Sequence, residues 1–168
     1  APVIPPFVLA DGTNNGAFIS DPADNHFTDL TISDTGYLVG GLGDRFIVTD
    51  DLLNSSAQGA LWDTRAAELV FQQGADAHDF AIAGTDYAGA VGGLANNFAW
   101  GTVRVAAGQT LRLQDGNATA GGALYVKNLI LEGGLSQIAN ITGNGLNIYY
   151  DSLAPANSYL GEQTYQLQ

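Results

Sequence analysis

The stretch TVRVAAGQTLRLQDGN, Thr102 to Asn117, decides the fold. Val103 and Val105 alternate with Arg104, and Leu111 and Leu113 alternate with Arg112, so each half has the two-faced pattern of an extended segment. Between them lies AAGQ, with Gly108 where the chain must bend. The apolar pairs face one way and the arginines the other, which reads as one β-wall, a corner, and the next wall.

Segments of the same kind recur on both sides. FTDLTI (Phe27–Ile32), RFIVT (Arg45–Thr49), AELVFQ (Ala67–Gln72) and HDFAIAG (His78–Gly84) precede it; ALYVKNLILEGG (Ala123–Gly134), GLNIYY (Gly145–Tyr150) and TYQLQ (Thr164–Gln168) follow. In FTDLTI the alternation places Phe27, Asp29 and Thr31 on one face and Thr28, Leu30 and Ile32 on the other. Helical periodicity is lacking, and SSAQGALWDTRAAEL has room for one helical turn at most. The pairs Leu30/Ile32, Phe46/Val48, Leu69/Phe71, Phe80/Ile82, Val103/Val105, Leu129/Leu131 and Ile148/Tyr150 form an imperfect repeat. Their spacing wanders from about ten to about twenty-six residues. Corners made of single Gly, Asn or Asp residues predict an all-β protein built as a single β-solenoid. NNG (Asn14–Gly16) and GNG (Gly143–Gly145) are hairpin-like, so a β-sandwich is the alternative.

A chain of 168 residues suits one domain and can bury roughly 68–70% of its unfolded surface. With 46% hydrophobic and 13% charged residues it is a folding sequence. Seventeen acids against five Lys and Arg give a net charge of −12, which repels phosphate backbones and excludes nucleic acid as a partner. Cys and Met are absent, so disulfides and thiolate metal sites are excluded. No apolar run approaches the roughly 18 residues of a membrane helix, so membrane insertion is not expected. Ala1-Pro2 without an initiator Met, together with a single lysine, Lys127, reads as a processed end. That predicts an extracellular or cell-surface protein after removal of a signal peptide.

The chain begins APVIPPFVLADGTNNG. Pro2, Pro5 and Pro6 rule out a helix or a central strand there, so residues 1–20 read as an extended apolar arm and tether, and residues 21–168 as the β-domain. Val3, Ile4, Phe7, Val8 and Leu9 could fold back on their own chain or lie along a neighbour by strand addition, and we assign them to a subunit interface.

Candidate chemistry is sparse. His26 and His78 have similar contexts, PADNHFTDL and GADAHDFAI, and read as two copies of one corner rather than as a metal pair, so no metal residues are assigned. Asp44, Asp50, Asp51 and Asp63 near Arg45 and Arg65 are the acids and bases a polysaccharide-degrading site would need. Seventeen acids scattered through loops make such proximity cheap and solvated turn residues account for most of them, so no catalytic residue or cofactor is assigned. Calcium is an option without a location; Asp11, Asp21, Asp24 and Asp115 are corner oxygens, but no EF-hand or calcium nonapeptide is present. Sequons occur at Asn54, Asn117 and Asn140, and DGNAT marks Asn117 as the glycosylation candidate on an exposed turn beside Gly116. Trp62, Trp100, Tyr125, Tyr149, Tyr150, Tyr159 and Tyr165 are either core residues or a sugar-stacking platform.

From about Trp62 to Leu167 the chain resembles the repeat region of exported bacterial PEP-CTERM-type surface proteins. NNFAWG (Asn96–Gly101), LQDGNATAGGALYV (Leu113–Val126), NGLNIYYD (Asn144–Asp151) and NSYLGEQTYQL (Asn157–Leu167) carry the likeness. The resemblance implies a right-handed β-helix-like solenoid, export and a surface or matrix role, and no catalytic residues. The expectation is therefore a non-enzymatic structural protein that partners itself, joined head to tail through the arm into an extracellular filament or surface layer. A monomeric module that binds polysaccharide is the alternative.

Overall fold

The computed structural model describes residues 16–74, 77–117, 122–161 and 166–167. The described part is mostly β. A seven-stranded sheet contains β2 (Asp24–Phe27), β5 (Arg45–Val48), β7 (Thr64–Phe71), β9 (Trp100–Val105), β11 (Ala123–Leu131), β13 (Asn147–Asp151) and β14 (Gln166–Leu167). A five-stranded sheet contains β3 (Leu30–Ile32), β6 (Leu52–Asn54), β8 (Ala77–Ala81), β10 (Thr110–Gln114) and β12 (Ile141–Thr142). β1 (Ala17–Ile19) pairs with β4 (Tyr37–Val39), and Val39 bridges Asp63. Neither large sheet closes. From β5 to β12 the chain passes between these two sheets at every step, and in each sheet the strands stand in chain order.

All strand pairings among the described residues are parallel; the one antiparallel contact is an isolated bridge between Thr85 and Gly122. Parallel neighbours cannot be joined by a hairpin and need a long crossover, which here runs through the other sheet. The hairpin-built sandwich offered as the alternative is therefore not formed by these residues. GNG at Gly143–Gly145 is not a hairpin turn, because it joins β12 in one sheet to β13 in the other.

The apolar pairs stack in register. Phe46, Leu69, Val103 and Leu129 stand side by side, and so do Phe27, Val48, Phe71, Val105 and Leu131. On the five-stranded sheet Leu30, Leu52, Phe80 and Leu113 form the facing row. All belong to one buried cluster, with Phe71 and Phe80 touching across the sheets at 5.2 Å between ring centroids. Burying each such side chain contributes about 1.5–3 kcal/mol.

The corner read in TVRVAAGQTLRLQDGN forms as expected. β9 ends at Val105, β10 starts at Thr110, Gly108 has a φ of +78°, and the Gln109 N–H donates to the Ala106 carbonyl at 3.1 Å. FTDLTI differs from its expected single strand. β2 stops at Phe27 and β3 starts at Leu30, so Phe27, Leu30 and Ile32 are all buried. Thr28 and Asp29 turn the chain, and a corner resets the alternation. The single turn allowed in SSAQGALWDTRAAEL is present, with the Trp62 N–H donating to the Gln58 carbonyl at 2.9 Å. Three 3-10 helices were not anticipated: η1 (Val91–Leu94), η2 (Leu135–Asn140) and η3 (Pro155–Leu160). No helix of the described residues is long and apolar enough to cross a membrane.

Candidate functional site

The corners between the two large sheets bring acids together. Asp29 lies between β2 and β3, and Asp50 and Asp51 lie between β5 and β6 one step along the sheets. One carboxylate oxygen from each falls within 4.8 Å of the others. Asp29 accepts the Asp51 N–H at 3.2 Å, and Asp51 accepts the Asp79 N–H at 2.7 Å. Burial raises the Asp51 carboxyl above its ordinary range; the Asp79 N–H opposes this, and the charges of Asp50, Asp79 and Asp29 add to it. Oxygen clusters of this kind suit a hard cation, although calcium takes six to eight such ligands.

Behind the cluster His78 is fully buried. Its Nδ1 donates to the Asp50 carbonyl at 2.5 Å, its Nε2 meets the Gln109 side-chain amide at 2.9 Å, and the Phe71 ring lies 5.3 Å away. Both ring nitrogens are occupied within the fold, so the imidazole has no nitrogen left for a substrate. His26 stands opposite Ile47 in the seven-stranded sheet, whereas His78 stands opposite Leu111 in the five-stranded one. The two histidines are therefore not copies of one corner; their similar contexts fall in different walls.

The remaining acids and bases are used separately. Asp44 is buried and accepts from the Ser20 hydroxyl at 2.5 Å, the Gly41 N–H at 2.8 Å and the Ala23 N–H at 3.2 Å, tying two adjacent turns together. Asp63 and Arg65 form an exposed pair at 3.1 Å, and the guanidinium holds the Asp63 carboxyl below its ordinary range. Arg45 bridges Asp24 at 3.3 Å and Glu68 at 3.7 Å, and Arg104 reaches Glu68 at 2.5 Å and Glu132 at 3.8 Å. This ladder crosses the outer face of the seven-stranded sheet and borders an open groove of about 360 Å³ with Val70, Gln72 and Gln73 in its wall.

Among the described residues the aromatic set does not form an exposed platform. Trp62, Trp100, Tyr125, Tyr149 and Tyr150 are buried and Tyr159 is half-buried; Tyr165 lies outside the described residues. Tyr125 stacks on Tyr149 at 5.0 Å, accepts the Tyr87 N–H and donates to the Ala88 carbonyl, both at 2.7 Å. Burial, against the pull of that N–H, pushes its hydroxyl up to about 12. Both tyrosines thus hold down the excursion between β8 and β9.

Asn117 is half-buried, and its side-chain nitrogen, the atom a glycan would take, donates to the Ala83 carbonyl at 2.6 Å. Gly116 is a rung contact rather than part of a free turn, because a Cβ there would run into the Asn54 carbonyl. Among the calcium candidates, Asp11 lies outside the described residues, and Asp21, Asp24 and Asp115 join no acidic group of three among the described residues. Val3, Ile4, Phe7, Val8 and Leu9 lie outside the described residues too.

The ends of the sheets are better defined. β1, β2 and β3 are the terminal strands at one end, and β12 and β14 at the other. Near the second end, side chains replace a strand. Asn157 and Tyr159 of η3 bond to the β11 backbone, Gln137 of η2 donates to the Ala106 carbonyl at 2.8 Å, and Asn144 donates to the Leu113 carbonyl at 2.8 Å. Sequence reasoning missed these amide contacts, since no local pattern marks an Asn or Gln that serves a distant strand. No protein-family model, curated protein or solved structure matches the chain.

Proposed function

We propose that this chain is a right-handed β-solenoid and serves as an exported, non-enzymatic structural protein, its copies joined head to tail into an extracellular filament or surface layer. The observation that supports this reading is the strand order: every sheet is parallel and runs in chain order. The first turn of one copy and the last turn of another therefore differ by a step along one axis, and head-to-tail contacts that do not close give open chains. The arm is the connector, with Val3, Ile4, Phe7, Val8 and Leu9 laid along a neighbour's sheet edge. The resemblance read in the sequence to PEP-CTERM-type surface proteins would, where it holds, imply export and a matrix role. Negative-stain microscopy and sedimentation of the full chain, beside a chain lacking residues 1–10, test the proposal. Fibres are expected from the first and folded monomers from the second. Fibres from both would remove the arm as connector, and separate particles from the full chain at every concentration would reject the assembly.

The second reading, a monomeric polysaccharide-binding module, draws on the groove beside Arg45 and Arg104. Glycan-array binding by a chain that stays monomeric would select it. Calcium, if it binds, has its best set of oxygens at Asp29, Asp50 and Asp51. A calcium-dependent rise in melting temperature that Asp51→Asn abolishes would support that role.

A further inference from the structure

β11 is longer than the strand that follows it. β13 pairs with Ala123 to Val126 and then turns away after Asp151, leaving the edge of Lys127 to Leu131 to be satisfied by something else. In a parallel ladder, a residue opposite position i donates its N–H to the carbonyl of i−1 and accepts the N–H of i+1. The Asn157 side chain makes that pair of bonds opposite Asn128: its Nδ2 donates to the Lys127 carbonyl at 2.8 Å and its Oδ1 accepts the Leu129 N–H at 2.8 Å. The Tyr159 hydroxyl does the same opposite Ile130, donating to the Leu129 carbonyl at 2.6 Å and accepting the Leu131 N–H at 2.7 Å. Two side chains, two residues apart, thus reproduce two successive positions of a missing strand.

We propose that Asn157 and Tyr159 are a plug on a latent strand-acceptor edge of β11, and that a second copy of this chain adds an extended segment there when the plug is removed. The plug is built to stay. Asn157 is buried and its Nδ2 also donates to the Asp151 carbonyl at 2.7 Å, while Leu160 beside Tyr159 is fully buried in the main core. The edge it covers reads KNLIL, Lys127 to Leu131, a sequence with strong strand character and one charge. An edge of that kind left open recruits another chain. The occupant is a copy of the same chain because β2 is the terminal strand of the same seven-stranded sheet at its other end, so a second copy's β2 laid on this edge continues the parallel order. The plug therefore makes the fold polar: it shuts this edge at the C-terminal end. It does not rest on the proposed filament, since a protein that never polymerises needs the same protection.

The test is the full chain carrying Asn157→Ala and Tyr159→Phe, followed by sedimentation velocity and amide hydrogen exchange over a range of concentrations. At low concentration the Leu129 and Leu131 amides are expected to exchange at least about tenfold faster than in the parent. As concentration rises, soluble oligomers are expected to form and protection at those two amides to return. A variant that opens these amides yet stays monomeric throughout would overturn the proposal, as would one whose amides exchange at the parental rate. If the double variant does not fold, Tyr159→Phe alone, which keeps the ring and the Leu160 anchor, decides by the same two measurements at Leu131. Plug failure and filament failure are separable, since fibres of the parent chain report the filament, whereas only the opening of the Leu129 and Leu131 amides in the variant and their renewed protection with concentration report the plug.

Discussion

Asp51 shows how one side chain is strained by the company its corner keeps. Its carboxyl titrates above the value of 3.8 that the unfolded chain would have, first because it is partly buried, then because Asp50, Asp79 and Asp29 share the space. As pH rises past the unfolded value the unfolded chain ionises first, so the folded state loses relative stability until its own carboxyl ionises. Above that point the loss is constant. Asp51→Asn removes the charge and keeps an oxygen for the Asp79 N–H, so at pH 7.5 it should be more stable than the parent, by on the order of 0.5 kcal/mol once solvent screening is counted. The gap should close at about pH 2, where the parent carboxyl is protonated in both states. Urea midpoints at the two pH values measure it; a variant no more stable than the parent at pH 7.5 would show that the repulsion is already relieved.

Elements are held by rows of side chains that run across strands. Leu69 on β7 sits between Phe46 and Val103 with no exposure, whereas Leu53 on β6 is half-buried on the outward side. Leu69→Ala should therefore cost about 2–5 kcal/mol and Leu53→Ala less than about 1 kcal/mol, read from chemical denaturation. Similar costs for the two would mean that the inner rows do not carry the stability. These rows were legible in the sequence, because alternation survives wherever a strand runs unbroken: Phe46/Val48, Leu69/Phe71, Val103/Val105 and Leu129/Leu131 each read correctly. FTDLTI misled because two residues of corner look like two residues of strand, and its true inward set is Phe27, Leu30 and Ile32. The acidic corner was half legible: Asp50 and Asp51 stand out in the sequence, but Asp29 joins them only through the pairing of β3 with β6. Asn157 and Tyr159 were illegible because they serve backbone groups 28 to 30 residues earlier, and composition near them carries no trace of that distance.

For the whole molecule, charge decides what kind of joint copies can make. Each carries a net charge of −12, and Arg45, Arg65, Arg104 and Arg112 are already paired with acids of their own chain. The charge of each of those guanidiniums is already offset at home, so a neighbour's acid would meet little net positive charge there. Two approaching copies therefore repel at long range, so the proposed head-to-tail joint rests on apolar contact and backbone pairing. Screening distinguishes the two kinds of joint. The Debye length falls from about 30 Å at 0.01 M to about 8 Å at 0.15 M ionic strength, which removes most of the repulsion and leaves apolar contacts intact. Head-to-tail association of the full chain should accordingly strengthen between those conditions, by about tenfold or more in apparent association constant by sedimentation. A joint made of ion pairs would respond in the opposite direction, and association that weakens with added salt would move the contact from the apolar arm to the charged ladder on the outer face of the seven-stranded sheet.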